Sequence, residues 1–256
     1  MRYHLPKPLH GWREFVGEVG VIVLGVLIAL VAQQVAEAFG WRQQVHEARD
    51  ALSYELADAI GQAGIRQELS PCIQRRLGDL SKIIDDASAS GKLPPVGDLG
   101  SPPYFTWLTA TWETTEASQT ASHFDRHELN ALARIYEYVN VLKAAAPREL
   151  TVWTNLYSVV GPGRPIAPDE AASLRRDLGE ARQLDQLVTV SAIRIRQIAD
   201  REGLEYDRAF VRSRPVPAAS LSLCRAIPSQ APATYGHAPA ENAVEQALKH
   251  PLRGPA

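Results

Sequence analysis

The sequence predicts an all-α protein: an N-terminal transmembrane helix that continues into an antiparallel helical bundle, followed by a Pro/Ala-rich C-terminal tail. Three observations lead to this prediction. Residues 19–36 form a run of 18 residues without a charged side chain. Beyond this run, apolar residues recur at intervals of three and four residues, which is the period of one helix face. The sequence has no continuous alternation of apolar and polar residues, the pattern of a half-buried strand.

The apolar run is long enough to cross a lipid bilayer. Its residues would span about 27 Å as a helix, close to the thickness of the hydrocarbon core. Trp12 and Phe15 precede the run, and Phe39 and Trp41 follow it. Aromatic rings favour the membrane–water interface, so this bracket is typical of a transmembrane helix. The apolar side chains expected to face lipid include Val19, Ile22, Leu24, Leu27, Leu30 and Val35.

The run is either a permanent anchor or a cleaved signal peptide. Ala36 and Ala38 form an A-x-A arrangement, so a secreted protein that begins after Ala38 is the alternative. Against cleavage, the preceding region carries Glu14 and Glu18, and the helical apolar pattern continues past the site. We therefore expect an uncleaved signal anchor.

Basic residues near the run indicate its orientation in the membrane. Arg2, Lys7 and Arg13 precede the run, whereas Arg42 and Arg49 follow it. Cytoplasmic flanks carry more lysine and arginine, so this small excess predicts a cytoplasmic N-terminus. No second apolar run of spanning length occurs in the sequence, and the main domain is therefore expected on the opposite side of the membrane.

Two features of the anchor are candidates for contacts with a partner. Glu14 and Glu18 lie one helical turn apart at the membrane edge, where ionisable residues are often functional; the alternative is that both reach cytosolic water or pair with Arg13. Small residues at helical spacing also form one face, which would allow close approach of a second copy or another membrane helix. This packing face consists of Gly25, Ala29, Ala32 and Ala36. The alternative is that small residues fall there by chance in an Ala-rich protein.

Helix signals continue beyond the anchor. The first helix is expected to begin near Trp12 and to end between residues 64 and 68. Ser70 and Pro71 then predict a new helix, with Ser as N-cap and Pro at the first helical position. Gly91 is the expected stop of this second helix.

The middle of the chain predicts a loop and then two helix starts. Residues 91–103 are rich in Gly and Pro and are expected to be a loop. Residues 104–119 are interpreted as a helix from their apolar spacing, with a strand as the alternative because they contain five threonines. Asp125 and Glu128 have capping-box spacing and predict a helix start. Pro147 predicts the start of another short helix.

The longest helix of the soluble part is expected from Pro168 to Gly203. Its charged residues, including Asp185, are expected to form a solvated face. We expect four segments: residues 1–11 in the cytosol, 12–40 as the anchor with its flanks, 41–214 as the bundle, and 215–256 as an extended tail.

The two cysteines of the chain, Cys72 and Cys224, predict a disulfide if the bundle lies in an oxidising compartment. The chain-entropy account gives such a long loop about 5 kcal/mol of stabilisation. The alternative is a pair of unpaired buried thiols, as in a cytosolic protein.

The sequence offers few signals of chemistry. His123 and His127 have a spacing that can hold zinc, but no third ligand is signalled nearby, and we expect no metal site. No Walker loop, G-x-G-x-x-G or G-x-S-x-G motif occurs, so we expect no cofactor and assign no catalytic residue. The net charge of −2 gives no footprint for nucleic acid.

Residues 11–19 read Gly-Trp-Arg-Glu-Phe-Val-Gly-Glu-Val, residues 23–30 read Val-Leu-Gly-Val-Leu-Ile-Ala-Leu, and Trp41 follows. This stretch resembles the opening of a family of uncharacterised bacterial single-pass membrane proteins, a domain of unknown function. The resemblance covers roughly residues 11–60. It implies an anchor in the bacterial inner membrane, and it implies no activity, cofactor or catalytic residue.

We expect a non-enzymatic signal-anchored protein whose periplasmic helical domain binds a partner or a small ligand in a structural or signalling role. The alternative is an envelope enzyme, such as a hydrolase, with a site built from residues distant in sequence. A closed bundle filled with apolar side chains would favour binding. A polar cleft that gathers His, Asp and Glu would favour the enzyme.

Overall fold

The computed structural model describes residues 11–229, except for the side chains of Arg13 and Glu14. These residues form a helical bundle built on one long N-terminal helix, as the sequence predicts. The helices are α1 (Trp12–Ser90), α2 (Ala110–Ala117), α3 (Arg126–Leu156), α4 (Pro168–Arg201), α5 (Arg208–Ser213) and α6 (Ala218–Leu221). Two strands of two residues each, β1 (Lys92–Leu93) and β2 (Arg164–Pro165), pair in antiparallel register.

Helix α1 contains 79 residues, and at 1.5 Å per residue it is about 120 Å long. The predicted break at Ser70 and Pro71 is wrong, because Pro71 lies inside α1. The missing N–H of Pro71 costs one backbone hydrogen bond, but the residue lies on the exposed side of the helix. The buried stripe continues past it through Leu69 and Ile73 without a change of phase. Packing of this stripe therefore overrides the local start signal.

The ends of the helices show their directions. Asp85, near the C-terminal end of α1, pairs with Arg175, near the start of α4. At the other end, Arg49 of α1 pairs with Glu128 in the first turn of α3. Helix α4 is thus antiparallel to α1 and α3, and the long connection after α1 returns the chain to the end of the bundle that is nearest the apolar segment 19–36. We call this end the basal end.

The segment 104–119 is only partly the helix that the sequence predicts, because α2 begins at Ala110. The buried carboxylate of Glu55 accepts hydrogen bonds from the backbone N–H groups of Thr111 at 2.8 Å and Trp112 at 3.2 Å. These bonds satisfy two donors that every helix start leaves unpaired. A side chain of α1, distant in sequence, therefore fixes where α2 starts.

The predicted start of α3 is confirmed. The Asp125 carboxylate accepts hydrogen bonds from the N–H groups of His127 at 2.8 Å and Glu128 at 3.4 Å. The predicted separate helix at Pro147 is wrong, because α3 runs through Pro147 to Leu156. Like Pro71, Pro147 lies on the exposed side of its helix, and the buried stripe continues past it.

The predicted helix stops are confirmed at two glycines. Gly91 ends α1 in the left-handed conformation with φ of 67°, and Gly203 follows α4 with φ of 63°. Glycine adopts this conformation without the steric cost of a side chain. The loop 91–103 also carries β1, which pairs with β2 in front of α4.

Residues 214–229 form a strap across α1, which we call the C-terminal strap. Cys224 in the strap and Cys72 in α1 lie at disulfide distance, with the two sulfur atoms 2.08 Å apart. The buried guanidinium of Arg76 donates hydrogen bonds to the carbonyl oxygens of Ser222 at 2.9 Å and Arg225 at 2.6 Å. The part of the predicted tail within the strap is therefore packed and contains α6.

The rest of the predicted tail, residues 230–256, lies outside the described residues, as do residues 1–10 of the predicted cytosolic segment.

We expect Cys224→Ser to lower the free energy of unfolding by about 2–5 kcal/mol, because the bond joins residues separated by 152 positions. Denaturant unfolding of the full chain in detergent measures the loss. The matched control is the double variant Cys72→Ser/Cys224→Ser, which should equal the single variant. Equal stability of the native chain with and without a reductant would contradict the expectation.

Candidate functional site

The apolar segment is exposed along its whole length. The predicted lipid-facing residues Val19, Ile22, Leu24, Leu27, Leu30 and Val35 are between 40% and 66% exposed. A continuous exposed apolar surface is rare on soluble proteins. Among the described residues, α1 is the one helix long and apolar enough to cross a membrane by length and composition. The structure is therefore compatible with a single-pass membrane protein.

The other predicted anchor features are also exposed. No described helix packs on the face formed by Gly25, Ala29, Ala32 and Ala36, so its role in helix association stays a prediction. Glu18 is exposed at the start of the segment, and the side chain of Glu14 is not among the described side chains. Gln33 donates a hydrogen bond to Glu37 within the same helix at 2.8 Å.

The two histidines with zinc-like spacing have different neighbours. The His123 ring stacks on the indole of Trp41, with ring centroids 4.0 Å apart. The His127 Nε2 atom lies 2.7 Å from a carboxylate oxygen of Glu202. In the described part of the chain, no group of three or more His, Cys, Asp or Glu side chains could hold a metal ion.

The stack of Trp41 and His123 marks the junction between the apolar segment and the bundle. Trp41 is partly buried, and Val45 is the first core residue of α1. His123 belongs to a short 3-10 turn, Thr120–His123, that precedes α3. Beside the stack lies an open pocket of about 610 Å³. The bundle therefore begins to pack within two helical turns of the apolar segment.

Another opening lies at the basal end, between α1, the start of α3 and the end of α4. We call it the basal cleft, and its volume is about 580 Å³. One histidine, His127, and six acidic residues line it. The acids are Asp50, Asp125, Glu128, Glu202, Glu205 and Asp207. The cleft therefore carries a negative charge that Arg49 only partly balances.

Most of these acids already have a structural partner. Asp125 caps α3, and the two backbone N–H groups that it binds lower its pKa. Asp207 caps α5 by accepting from the N–H of Phe210 at 2.9 Å. Glu128 accepts from Arg49 at 2.6 Å, and this hydrogen bond raises the pKa of the arginine. The basal cleft is thus built mainly from helix caps and ion pairs.

A second polar site lies inside the bundle and joins all three long helices. We call it the charge cluster; it consists of Arg66 in α1, Glu149 in α3 and Asp185 in α4. The Arg66 Nη2 atom lies 2.7 Å from Glu149 Oε1 and 2.8 Å from Asp185 Oδ1. All three side chains are at most 8% exposed. Buried charges need such partners, because leaving one unpaired costs several kcal/mol.

The charge cluster contains two carboxyl groups and one guanidinium. Burial raises the pKa of Glu149, and the charge of Arg66 opposes this shift. Burial likewise raises the pKa of Asp185, against the effects of Arg66, Gln74 and Thr189. The cluster therefore favours binding of a proton, since one cation cannot fully balance two buried anions.

Asp185 also reaches a cavity on the seam between α1 and α4, which we call the side cavity. Its volume is about 450 Å³. Its lining residues are Gln74, Leu77, Arg182, Asp185, Gln186, Thr189 and Val190. The expectation that Asp185 lies on a solvated face is wrong, because the residue is only 3% exposed. The signal that identifies it is its position between the buried residues Leu184 and Val188.

Comparisons of the chain with protein-family models, curated proteins and solved structures give no match.

We expect the free energy of unfolding to fall as pH rises through the raised pKa values of the charge cluster. The ordinary values are 4.5 for Glu149 and 3.8 for Asp185. Above these values the unfolded chain has lost protons that the folded protein retains. The stabilisation is thus fully present below them and is lost at higher pH.

Denaturant unfolding at a series of pH values measures this slope. Glu149→Gln should flatten it, because Arg66 and Asp185 then form a balanced pair. The matched control is Asp200→Asn, at an exposed acid of α4, which should leave the slope unchanged. A Glu149→Gln profile parallel to that of the native chain would count against the assignment.

Proposed function

We propose that this chain is a non-enzymatic, signal-anchored protein of the bacterial inner membrane, with its N-terminus in the cytoplasm and its bundle in the periplasm. In this proposal the bundle binds a partner or a small ligand. The observation that carries the proposal is the continuity of α1, which extends from the exposed apolar segment into the core of the bundle without a break. A continuous helix holds the bundle at a fixed height and direction above the membrane surface.

The compartment is proposed from the cysteines and the flanking charges. The cysteine pair at positions 72 and 224 lies at bonding distance, and disulfides persist mainly in oxidising compartments such as the periplasm. The excess of basic residues before the apolar segment supports a cytoplasmic N-terminus. The resemblance of residues 11–60 to bacterial single-pass proteins supports the same location.

Binding is favoured over catalysis by how the polar groups are used. The bundle interior is filled with apolar side chains, and Arg66, Glu149 and Asp185 of the charge cluster pair with one another. The acids of the basal cleft mostly cap helices or pair with cations. Association through the exposed face of Gly25, Ala29, Ala32 and Ala36, with a second copy or another membrane protein, is part of the same proposal.

The alternative of an envelope hydrolase is favoured by one observation. His127, Glu202 and Ser53 all line the basal cleft, and Glu202 orients the His127 ring as a catalytic acid orients a base. The Ser53 hydroxyl, however, donates to the carbonyl oxygen of Asp50 at 2.7 Å. This bond directs the proton of Ser53 to the helix backbone, whereas a triad requires it to point to the histidine.

We expect the full chain to remain in the membrane pellet after carbonate extraction. In intact cells, a membrane-impermeant maleimide should label a cysteine placed at the exposed Asp200 and should not label one placed at Lys7. The Lys7 variant is the matched control, and it should react after permeabilisation. The reverse labelling pattern, or release by carbonate, would contradict the proposed topology. A mature chain that begins after Ala38 would show instead that the apolar segment is a cleaved signal peptide.

We expect a fluorophosphonate probe to leave the protein unlabelled, because the Ser53 hydroxyl is bonded to the backbone. Intact-mass measurement of the treated full chain reads out the reaction, and Ser53→Ala is the matched control. Labelling that disappears in Ser53→Ala would support the hydrolase instead.

A further inference from the structure

The side cavity combines a buried anion with an exposed cation on one helix. Both Asp185 and Arg182 line it; Asp185 is 3% exposed, whereas Arg182 is exposed. The two residues are three positions apart in α4, so they lie on the same helix face. Among the described residues the carboxylate of Asp185 is paired with Arg66, and Arg182 is left without an ion pair. The cavity therefore offers a ligand two side chains of opposite charge.

The charge cluster leaves Asp185 incompletely balanced. Arg66 divides its single positive charge between Glu149 and Asp185, with contacts of 2.7 Å and 2.8 Å. A cationic group that enters the side cavity would approach Asp185 from the wall that Gln74 and Thr189 also line. Its positive charge would balance the negative charge that remains because Arg66 is shared between two buried carboxylates.

The walls of the side cavity suit a small polar molecule with an apolar part. Gln74 and Thr189 form its polar wall, and both contact the hydroxyl of Ser70. Gln74 donates a hydrogen bond to this hydroxyl at 3.3 Å, and the Thr189 hydroxyl lies 3.3 Å from it. Leu77 and Val190 supply apolar surface on the two helices. The volume of about 450 Å³ is in the range of small-ligand sites.

We propose that the side cavity binds a free amino acid or a similar small zwitterion. The ligand ammonium donates hydrogen bonds to Asp185, and the ligand carboxylate accepts them from the guanidinium of Arg182. Leu77 and Val190 contact the side chain of the ligand. This inference names the ligand class of the ligand-binding role proposed above, and it rests on that proposal.

The test is binding of the individual standard L-amino acids to the full chain in detergent. Calorimetry and the shift in melting temperature of the chain both measure this binding. n-Butylamine and butyrate are the matched half-ligands, each with one of the two charges. At least one amino acid should bind and raise the melting temperature. Each half-ligand should bind at least about tenfold more weakly, because each lacks one charged hydrogen bond.

Arg182→Gln should weaken binding of that amino acid at least about tenfold without affecting the fold, since Arg182 is exposed. The matched control is Arg176→Gln, at another exposed arginine of α4 outside the side cavity. Thr189→Val removes a hydroxyl from the polar wall of the side cavity and leaves Arg66 and Asp185 paired. It should also weaken binding.

The inference is overturned if no amino acid binds, if butylamine binds as tightly as the amino acid, or if Arg182→Gln binds as the native chain does. Any of these results would leave the membrane topology untouched, since carbonate extraction and maleimide labelling test it separately.

Discussion

The rest of the structure depends on one helix that satisfies its own backbone hydrogen bonds in two different surroundings. Along residues 19–36 α1 exposes apolar side chains on all sides, and from Val45 onward it buries only one stripe. A helix can make this change without interruption because its N–H and C=O groups pair within the chain in lipid and in water alike. The bundle packs around that stripe, so one helix carries both the exposed apolar segment and the central element of the core.

Local signals in the sequence predicted the elements whose ends are fixed by local bonds. Asp125 caps α3 through its own backbone neighbours, and Gly91 ends α1 through its own conformation. The signals failed where packing decided the outcome. Pro71 and Pro147 resemble helix starts, but each lies on the exposed side of a helix whose buried stripe is continuous. The start of α2 depends on Glu55 of α1, and no local pattern contains that contact.

The polar interior could be predicted even less from the sequence. Arg66, Glu149 and Asp185 come from three helices, and charged residues are usually placed on the surface when only one helix is considered. The sequence signal for burial of these three residues is that each stands within an apolar stripe. The distances between them depend on how the helices pack. His123 and His127 lie on either side of the start of α3, so their separation in the sequence is not that of two residues on one helix face.

The bond between Cys72 and Cys224 closes a covalent ring that contains α2 to α6 and most of the core. The apolar segment joins this ring at Cys72, through the N-terminal part of α1. A protease that cuts one loop inside the ring, such as the loop between α1 and α2, would therefore release no fragment. Both pieces would stay linked to the N-terminal part of α1 until the disulfide is reduced, so a nicked molecule would keep its whole bundle.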